Sequence, residues 1–365
     1  MSYEKTDRIK IFTVLAEQKD LSAVRGDVLN EIETYKKLSS FADVYYNGQL
    51  IQLNEKGLGI TSQEIQPPDD EYDLYYCRNS PKLYEECKGP LLIMAYPYDR
   101  EVWENVDGVV VTTHAWKKFL NDYERENLFL RGFADPHYPK EIIQPKHIAV
   151  FEQSLAPEFL EVGSGEVSEL FSAAFGLGFK IGYMGRIDPS SYPYEVAESI
   201  RRIQKSDSTV SLTLIGNIKD IDIPGWIQVY DKQPIELMPS VLSAFDCLIY
   251  DQDLTGEYLG SAKCLEAMAR GVPILSRPYA SRVEVFGPDY QLYYQDSDEA
   301  QSLIVKLKDN PQFRNEVSSY LHSRRDLFVR SSVEKRLKAE VFSFLNQYGC
   351  QDSLTKKDNL GLDAL

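Results

Sequence analysis

The sequence predicts an α/β protein built from two Rossmann-like domains, each a doubly wound parallel sheet, and three observations carry this prediction. Near-continuous apolar runs of strand length alternate with stretches of helical spacing, as in parallel strands joined by helical crossovers. The alternation stops once, in a glycine-rich stretch at 157–178, and then starts again. A chain of 365 residues also exceeds what one hydrophobic core usually organises.

The interruption at 157–178 sets the expected boundary between the domains. We place the N-terminal domain at 1–160, a linker at 161–178 and the C-terminal domain at 179–324. A helix at about 325–348 is expected to pack back on the N-terminal domain, and 349–365 to form a disordered tail. Open parallel sheets bind ligands outside the carboxyl ends of their strands, so a cleft between the two sheets is the expected ligand site.

The N-terminal domain begins with the apolar run at 9–16, which predicts a strand covered on both faces. Apolar residues at three- and four-residue steps predict a helix over 27–42. Further strands are predicted at 43–46, 74–77, 91–95 and 108–113, and further helices at 81–88, 101–106 and 115–123.

The C-terminal domain repeats this alternation. Strands are predicted at 180–184, 210–215, 226–230, 247–250 and 273–276, and helices at 194–205, 235–244 and 261–270. A late helical region is predicted at 298–308 and 313–348.

Composition narrows the class of partner. The net charge of −16 repels phosphate backbones and anionic membrane faces, which argues against nucleic acid as a partner. A local cluster of cationic side chains and backbone N–H groups can still hold a small diphosphate in an acidic protein.

Cysteine usage and the apolar runs indicate where the protein works. Five widely spaced cysteines match no zinc or redox motif and favour a reducing cytoplasm. No signal-peptide core precedes residue 10, and no apolar run is long enough to span a bilayer. We expect a cytoplasmic protein, and peripheral attachment to the inner face of a membrane stays open.

The stretch at 255–276, TGEYLGSAKCLEAMARGVPILS, is the most informative for function. Gly260 and Ser261 precede a helix, with Ser261 as its expected N-cap, and a helix N-terminus attracts anions. Lys263 in the first turn is expected to face such an anion. Glu266, one turn further, is suited to accept two hydroxyl hydrogen bonds, as a ribose diol requires. Taken alone, the same charged spacing also fits a solvated salt-bridge stripe.

The segment at 179–276 resembles the donor domain of GT-B glycosyltransferases, especially glycosyltransferase family 4. The motif Leu-Glu-Ala-Met-Ala followed by Gly-x-Pro matches 265–269 and 271–273. The Gly-Arg pair that follows the first donor-domain strand matches Gly185 and Arg186, and the end of the next strand matches 214–216. The resemblance implies the GT-B fold and a retaining, nucleotide-sugar-dependent transferase, with a hexose as the expected sugar.

The resemblance also implies roles for individual residues. Glu266 is expected to bind the ribose, Arg186 the diphosphate, and Asn217 and Tyr230 to lie near the base. The phosphates are expected at the backbone of four consecutive residues, Gly260, Ser261, Ala262 and Lys263. The donor is a UDP-, GDP- or ADP-sugar, and neither a prosthetic group nor a metal is expected. Arg186 and Lys263 would stabilise the negative charge that develops on the leaving diphosphate.

Two positions depart from the family pattern. Its first glutamate, which contacts the transferred sugar, is replaced by Tyr258, and either Tyr258 or the neighbouring Glu257 serves instead. The family's lysine, five residues after the arginine, is Ser191 here, and Lys263 is expected to supply that charge.

The sequence indicates the acceptor-binding residues less clearly than those that bind the donor. Candidates at strand ends of the N-terminal domain are Arg25, Tyr98, Asp99 and His114, and the expected acceptor is a glycan, a lipid-linked sugar or a small molecule, as in polysaccharide biosynthesis. Two alternatives stay open: a GT-B-shaped nucleotide-sugar epimerase, and a non-catalytic nucleotide-sugar binding protein.

Overall fold

Two largely parallel sheets form the framework of the chain in the computed structural model, which confirms the predicted α/β class. The structure describes residues 8–15, 26–46, 48–51, 53–54, 57–58, 72–78, 87–94, 106–121, 146–161, 165–250 and 260–358. The chain divides into an N-terminal unit, drawn from 1–153 and 331–365, and a C-terminal unit, 154–330.

The N-terminal unit alternates strand and helix from its first described residues. Its described elements are β1 (Ile9–Leu15), α1 (Gly26–Leu38), β2 (Ala42–Tyr46), β3 (Gln49–Leu50), β4 (Leu53–Asn54), β5 (Gly57–Leu58), β6 (Leu74–Arg78), β7 (Leu91–Met94), β8 (Gly108–Val111), α2 (His114–Asn121) and β9 (Ile148–Val150). In the seven-stranded sheet the order is β3-β2-β1-β6-β7-β8-β9, all parallel except β3. The strand order reverses between β1 and β6, which makes this the topological switch point of the sheet.

Both faces of this sheet are buried by apolar side chains, as continuous apolar strands require. Ile9 and Ile11 of β1 belong to one hydrophobic cluster, and Phe12 and Val14 belong to another. The final helix of the chain contributes its own apolar residues to the first cluster, namely Leu337, Val341, Phe344 and Leu345.

The C-terminal unit repeats the pattern on a five-stranded parallel sheet. Its elements are α3 (Gly165–Ala174), β10 (Phe179–Met184), α4 (Tyr194–Ser206), β11 (Val210–Ile215), β12 (Gln228–Tyr230), α5 (Met238–Ser243), β13 (Cys247–Tyr250), α6 (Ala262–Arg270), β14 (Ile274–Ser276), α7 (Ala280–Phe286), α8 (Ser297–Asp309) and α9 (Pro311–Arg324). The strand order is β12-β11-β10-β13-β14, so the switch point lies between β10 and β13.

Several elements differ from the sequence prediction. The stretch at 161–178 contains the helix α3, and β9 had no predicted counterpart. The late helical region is divided by a 3-10 turn at Arg325–Leu327, after which α10 (Arg330–Asp358) runs into the predicted tail. Most of the predicted helices at 81–88 and 101–106 lies outside the described residues. In the described part of the chain, no helix is both long and apolar enough to cross a membrane.

The centre of β10 passes close to an aromatic stack. A Cβ atom on Gly182 would lie 2.8 Å from ring carbons of Phe245, and that ring stacks on Phe175 at 4.6 Å between centroids. Only glycine leaves room for the stack in this position.

We therefore expect Gly182→Ala to destabilise the C-terminal unit by about 1–3 kcal/mol, the usual range for overpacking a core. Gly225→Ala is the matched control, because a Cβ there meets nothing within 4 Å. Thermal unfolding of both variants measures the difference. Equal melting temperatures would show that the aromatic stack yields without cost.

Candidate functional site

Two glycine turns meet at the carboxyl ends of β10 and β11. Gly185 and Gly216 have φ values of 133° and 151°, a region that side chains rarely adopt. Gly185 N donates to Ile215 O at 2.9 Å, and Gly216 N donates to Tyr230 O at 3.0 Å. A Cβ on Gly216 would lie 1.8 Å from Gly185 O, so only glycine permits this approach.

The ammonium group of Lys263 lies against one of these turns. A Cβ on Gly185 would be 1.8 Å from Lys263 Nζ, which places the amine directly on the glycine backbone. Lys263 Nζ is also 5.9 Å from the ring centroids of both Tyr183, in β10, and Tyr250, in β13. The cation is therefore fixed at the switch point of the sheet, the usual ligand position in open α/β sheets.

Burial shifts the pKa of Lys263 and that of Glu266, one helical turn away. Desolvation lowers the pKa of Lys263 from its usual range, while the nearby Glu266 opposes this. Burial raises the pKa of Glu266 to about 7, and the Lys263 ammonium opposes this shift. Carboxyl groups with pKa values raised in this way are common at functional sites.

The N-terminus of α6 carries both residues. Ser261 occupies the N-cap position, with φ −132° and ψ 115°, but in the described part of the chain its side chain makes no capping hydrogen bond. Ser261 is thus the N-cap residue, as expected, by the position and conformation of its backbone. The hydroxyl lies beside the Tyr250 hydroxyl and the Cys264 thiol instead. Gly260 and Ala262, on either side, are partly buried.

Arg186 follows Gly185 and reaches toward solvent. Its side chain is 68% exposed, and its Nε lies 2.6 Å from Asp188 Oδ2. Its carbonyl oxygen accepts from the Tyr183 hydroxyl at 3.0 Å and from Ser191 Oγ at 2.7 Å. The side chain is near enough to Lys263 for its charge to contribute to the lowered lysine pKa.

Ser191, which stands at the position of the family's lysine, has a structural role. It is only 2% exposed, and its hydroxyl contacts both Arg186 O and Asp188 Oδ1. A buried serine shapes this turn, and no charge is present at position 191 to meet a phosphate.

Tyr230 and Asn217 lie on the β11 side of the site. The Tyr230 hydroxyl donates to Ala174 O at 2.8 Å, and its ring packs edge-on against Phe175. This tyrosine therefore anchors α3 to the end of β12. Asn217 is exposed, and its carbonyl oxygen accepts from Ile187 N at 3.0 Å.

Three residues beside Lys263 were not identified from the sequence. Tyr183 and Tyr250 flank the ammonium, and Arg282, 1% exposed, lies 4.4 Å above the Tyr250 ring. Arg282 comes from α7, and no local motif marks it. Arg270, in contrast, bonds Ser243 Oγ at 2.9 Å at the far end of α6 and belongs to the packing of that end.

The acceptor candidates and the sugar-contact candidates are only partly described. His114 begins α2 in the N-terminal unit, and its Nε2 lies 3.6 Å from Oε1 of the buried Glu152. The other five candidates fall outside the described residues: Arg25, Tyr98, Asp99, Glu257 and Tyr258.

The coupling between Lys263 and Glu266 can be measured directly. We expect Lys263→Met to raise the pKa of Glu266 above about 7, because the variant loses the cation that favours the carboxylate. Carboxyl NMR titration reports the value. Lys219→Met is the control, since that side chain is 75% exposed beside Asp220, and it should leave the titration unchanged. An unaltered Glu266 titration in Lys263→Met would show that the two groups do not interact.

No protein-family model and no curated protein sequence matches the chain. Solved structures do match over nearly all of it. Anabaena HepE in complex with UDP is 13% identical, with 92% of this chain and 100% of that chain covered and a TM-score of 0.62. Sucrose-phosphate synthase from Thermosynechococcus elongatus is 10% identical, with 92% and 99% covered and a TM-score of 0.63.

Trehalose 6-phosphate synthase from Burkholderia multivorans is similar to the same extent. It is 11% identical, with 96% of this chain and 99% of that chain covered and a TM-score of 0.63. These structural neighbours are GT-B glycosyltransferases. At such low identity the likeness shows the fold, and two Rossmann-like parallel-sheet domains of the GT-B type are thereby confirmed.

Proposed function

We propose that the chain is a glycosyltransferase that takes its sugar from a nucleoside diphosphate sugar bound to the C-terminal unit. One observation carries the proposal: the Lys263 ammonium lies on the Gly185 backbone, at the start of α6 and at the switch point of the sheet. A cation held at a helix N-terminus and at the switch point of the sheet favours an anionic ligand.

A bound diphosphate would explain why several positively charged groups lie together at the N-terminus of α6. The first amides of α6, at Ala262 and Lys263, lie at the positive end of the helix dipole, which favours phosphate oxygens. Lys263 adds a full charge, and Arg186, exposed beside it, can turn from Asp188 to a phosphate. The overall charge of −16 makes this local positive cluster the natural place for an anion.

The ribose accounts for Glu266. It lies three positions after Lys263 in α6, about 4.5 Å along the axis, so the carboxylate would lie one sugar ring beyond the phosphate position. A carboxylate accepts both hydroxyl hydrogen bonds of a ribose diol. Glu266 also belongs to the stretch that matches the family 4 motif, which supports a retaining enzyme of that type.

In the reaction, the bond between the anomeric carbon and the diphosphate oxygen breaks as a bond from that carbon to an acceptor hydroxyl oxygen forms. Negative charge develops on the leaving diphosphate, which takes up the acceptor proton. Lys263, Arg186 and the helix-end amides are arranged to stabilise that charge without rearrangement, and Tyr258 or Glu257 would contact the transferred sugar. A hexose is the proposed sugar, and UDP the favoured carrier, because the neighbouring HepE structures contain UDP or UDP-glucose. The N-terminal domain would hold the acceptor, a glycan, glycolipid or small molecule, and the enzyme would act in the cytoplasm.

Two alternative functions, an epimerase and a non-catalytic binding protein, can be distinguished from a transferase with the same reagents. A panel of UDP-, GDP- and ADP-sugars distinguishes them by product. Transfer or donor hydrolysis supports the transferase, whereas interconversion of two nucleotide sugars supports an epimerase. Thermal stabilisation without turnover identifies a binding protein, the outcome that loss of the family's lysine at Ser191 would favour.

Glu266 makes donor binding depend on pH. If only the carboxylate accepts the ribose hydroxyls, affinity for UDP-glucose rises through the pKa of about 7, roughly tenfold between pH 6 and pH 8. UDP-glucose is the right probe because its diphosphate has no group that titrates in this range. Glu266→Gln should bind more weakly and lose the pH dependence, as calorimetry at several pH values would show.

Lys219→Met is again the control and should keep the wild-type profile. A Glu266→Gln variant that retains both the affinity and the pH profile of the wild type would remove Glu266 from the donor site.

A further inference from the structure

A second charged group lies at the switch point of the other sheet, in the N-terminal unit. Arg78 is the last residue of β6, and in register it stands opposite Leu15, the last residue of β1. The chain continues from β1 to β2 on one side and returns with β6 on the other. Arg78 therefore occupies the edge where an open α/β sheet binds ligands.

A buried carboxylate holds this arginine. Arg78 Nη1 donates to Glu31 Oε2 at 2.9 Å, and the side chain of Glu31 is 0% exposed while that of Arg78 is 16% exposed. Another arginine pair of this unit, Arg8 with Asp43, lies near the start of β1 and is far more exposed, at 48% and 41%. A surface pair of that kind needs no special explanation, but a fully buried glutamate does.

Other polar groups are buried around Glu31. Thr13 stands opposite Tyr76 in register between β1 and β6, and Tyr35 lies one turn after Glu31 on α1. Among the described residues, Thr13 Oγ1, the Tyr35 hydroxyl and Glu31 Oε1 satisfy no hydrogen bond at normal geometry. The earlier residues on the same face of β1, Ile9 and Ile11, are apolar and belong to the hydrophobic core. Costly polar groups are thus concentrated at the carboxyl end of the sheet.

The chemistry of the exposed partner defines the ligand. Glu31 is inaccessible, so Arg78 is the member of the pair that a ligand can touch. A guanidinium group offers only donors, and its planar fork matches the oxygens of a phosphate or a carboxylate. Lysine would give charge without that geometry.

We propose that Arg78 binds an oxyanion, a phosphate or a carboxylate, carried by the acceptor sugar, and that Glu31 is the residue that positions Arg78 for it. The assignment of this ligand as the acceptor rests on the proposed function. The oxyanion site itself belongs to the N-terminal unit and is separate from the residues that bind the donor.

Arginine footprinting tests both sites in one experiment. The full chain is treated with phenylglyoxal, and modification of Arg8, Arg78 and Arg186 is followed by peptide mass spectrometry. The added ligands are UDP, glucose 6-phosphate, glucuronate and glucose. We expect UDP to slow modification of Arg186, and glucose 6-phosphate or glucuronate to slow that of Arg78 at least fivefold, while glucose does not. Arg8 should react equally in every case.

The pattern of protection separates the possible failures. Protection of Arg78 by glucose 6-phosphate alone identifies a phosphate site, and protection by glucuronate alone identifies a carboxylate site. Protection of Arg186 by UDP with no anionic protection of Arg78 overturns the inference and leaves the proposed donor site standing. Protection of Arg78 by an anionic sugar, without any effect of UDP on Arg186, supports the oxyanion site and contradicts the proposed role of Arg186 in donor binding.

Variants test the same site without a chemical reagent. Arg78→Met alone would leave Glu31 buried without the arginine that binds it, so we expect the double variant Glu31→Gln/Arg78→Met to be the one that preserves folding. We expect its dissociation constant for the protecting sugar to rise about tenfold to a hundredfold, the range for a lost charged hydrogen bond. UDP-glucose binding should stay unchanged, and Arg8→Met should match the wild type for both ligands.

Glu31→Gln alone tests the positioning role. The variant keeps Arg78 but removes its charged partner, so we expect weaker binding of the anionic sugar, with a smaller loss than in the double variant and with normal UDP-glucose affinity. Wild-type affinity for the anionic sugar in both variants would reduce the pair to a structural ion pair.

Discussion

The contact between the Lys263 ammonium and the Gly185 backbone is the interaction on which the account of this chain depends. It requires a glycine with φ 133° after the first strand of the sheet, a second glycine turn at Gly216, and a helix that starts beside both. It also places a cation between the rings of Tyr183 and Tyr250, where burial lowers the lysine pKa. A fold gains little from such a cation by itself, whereas a diphosphate ligand gives it a partner.

The α/β alternation and several residues of the candidate site could be predicted from the sequence, because both depend on local patterns. The Gly-Arg pair at 185–186 and the spacing of Lys263 and Glu266 lie within single turns, and the structure brings Gly185 and Lys263 together. Tertiary contacts decided the rest. Ser191 fills a turn, and Arg282 reaches the site from a helix that no motif marks.

Each sheet has a cationic side chain at its own switch point, but the two cations are paired with carboxyl groups in different ways. In the C-terminal unit, burial disfavours the charged forms of Lys263 and Glu266, and the attraction between the two charges opposes the resulting pKa shifts. In the N-terminal unit, Glu31 lies wholly inside and Arg78 is its counter-ion at the edge. The first pair is a local spacing within α6, whereas the second joins α1 to β6 and could not be predicted from a local pattern.

A crystal of the full chain soaked with UDP tests the central claim most directly. The account predicts diphosphate density bounded by Gly185, Lys263 Nζ and the first amides of α6, with the ribose hydroxyls on Glu266. Arg186 should have left Asp188 for a phosphate oxygen. Nucleotide density at any other place on the chain, or an empty α6 N-terminus at saturating UDP, would contradict it.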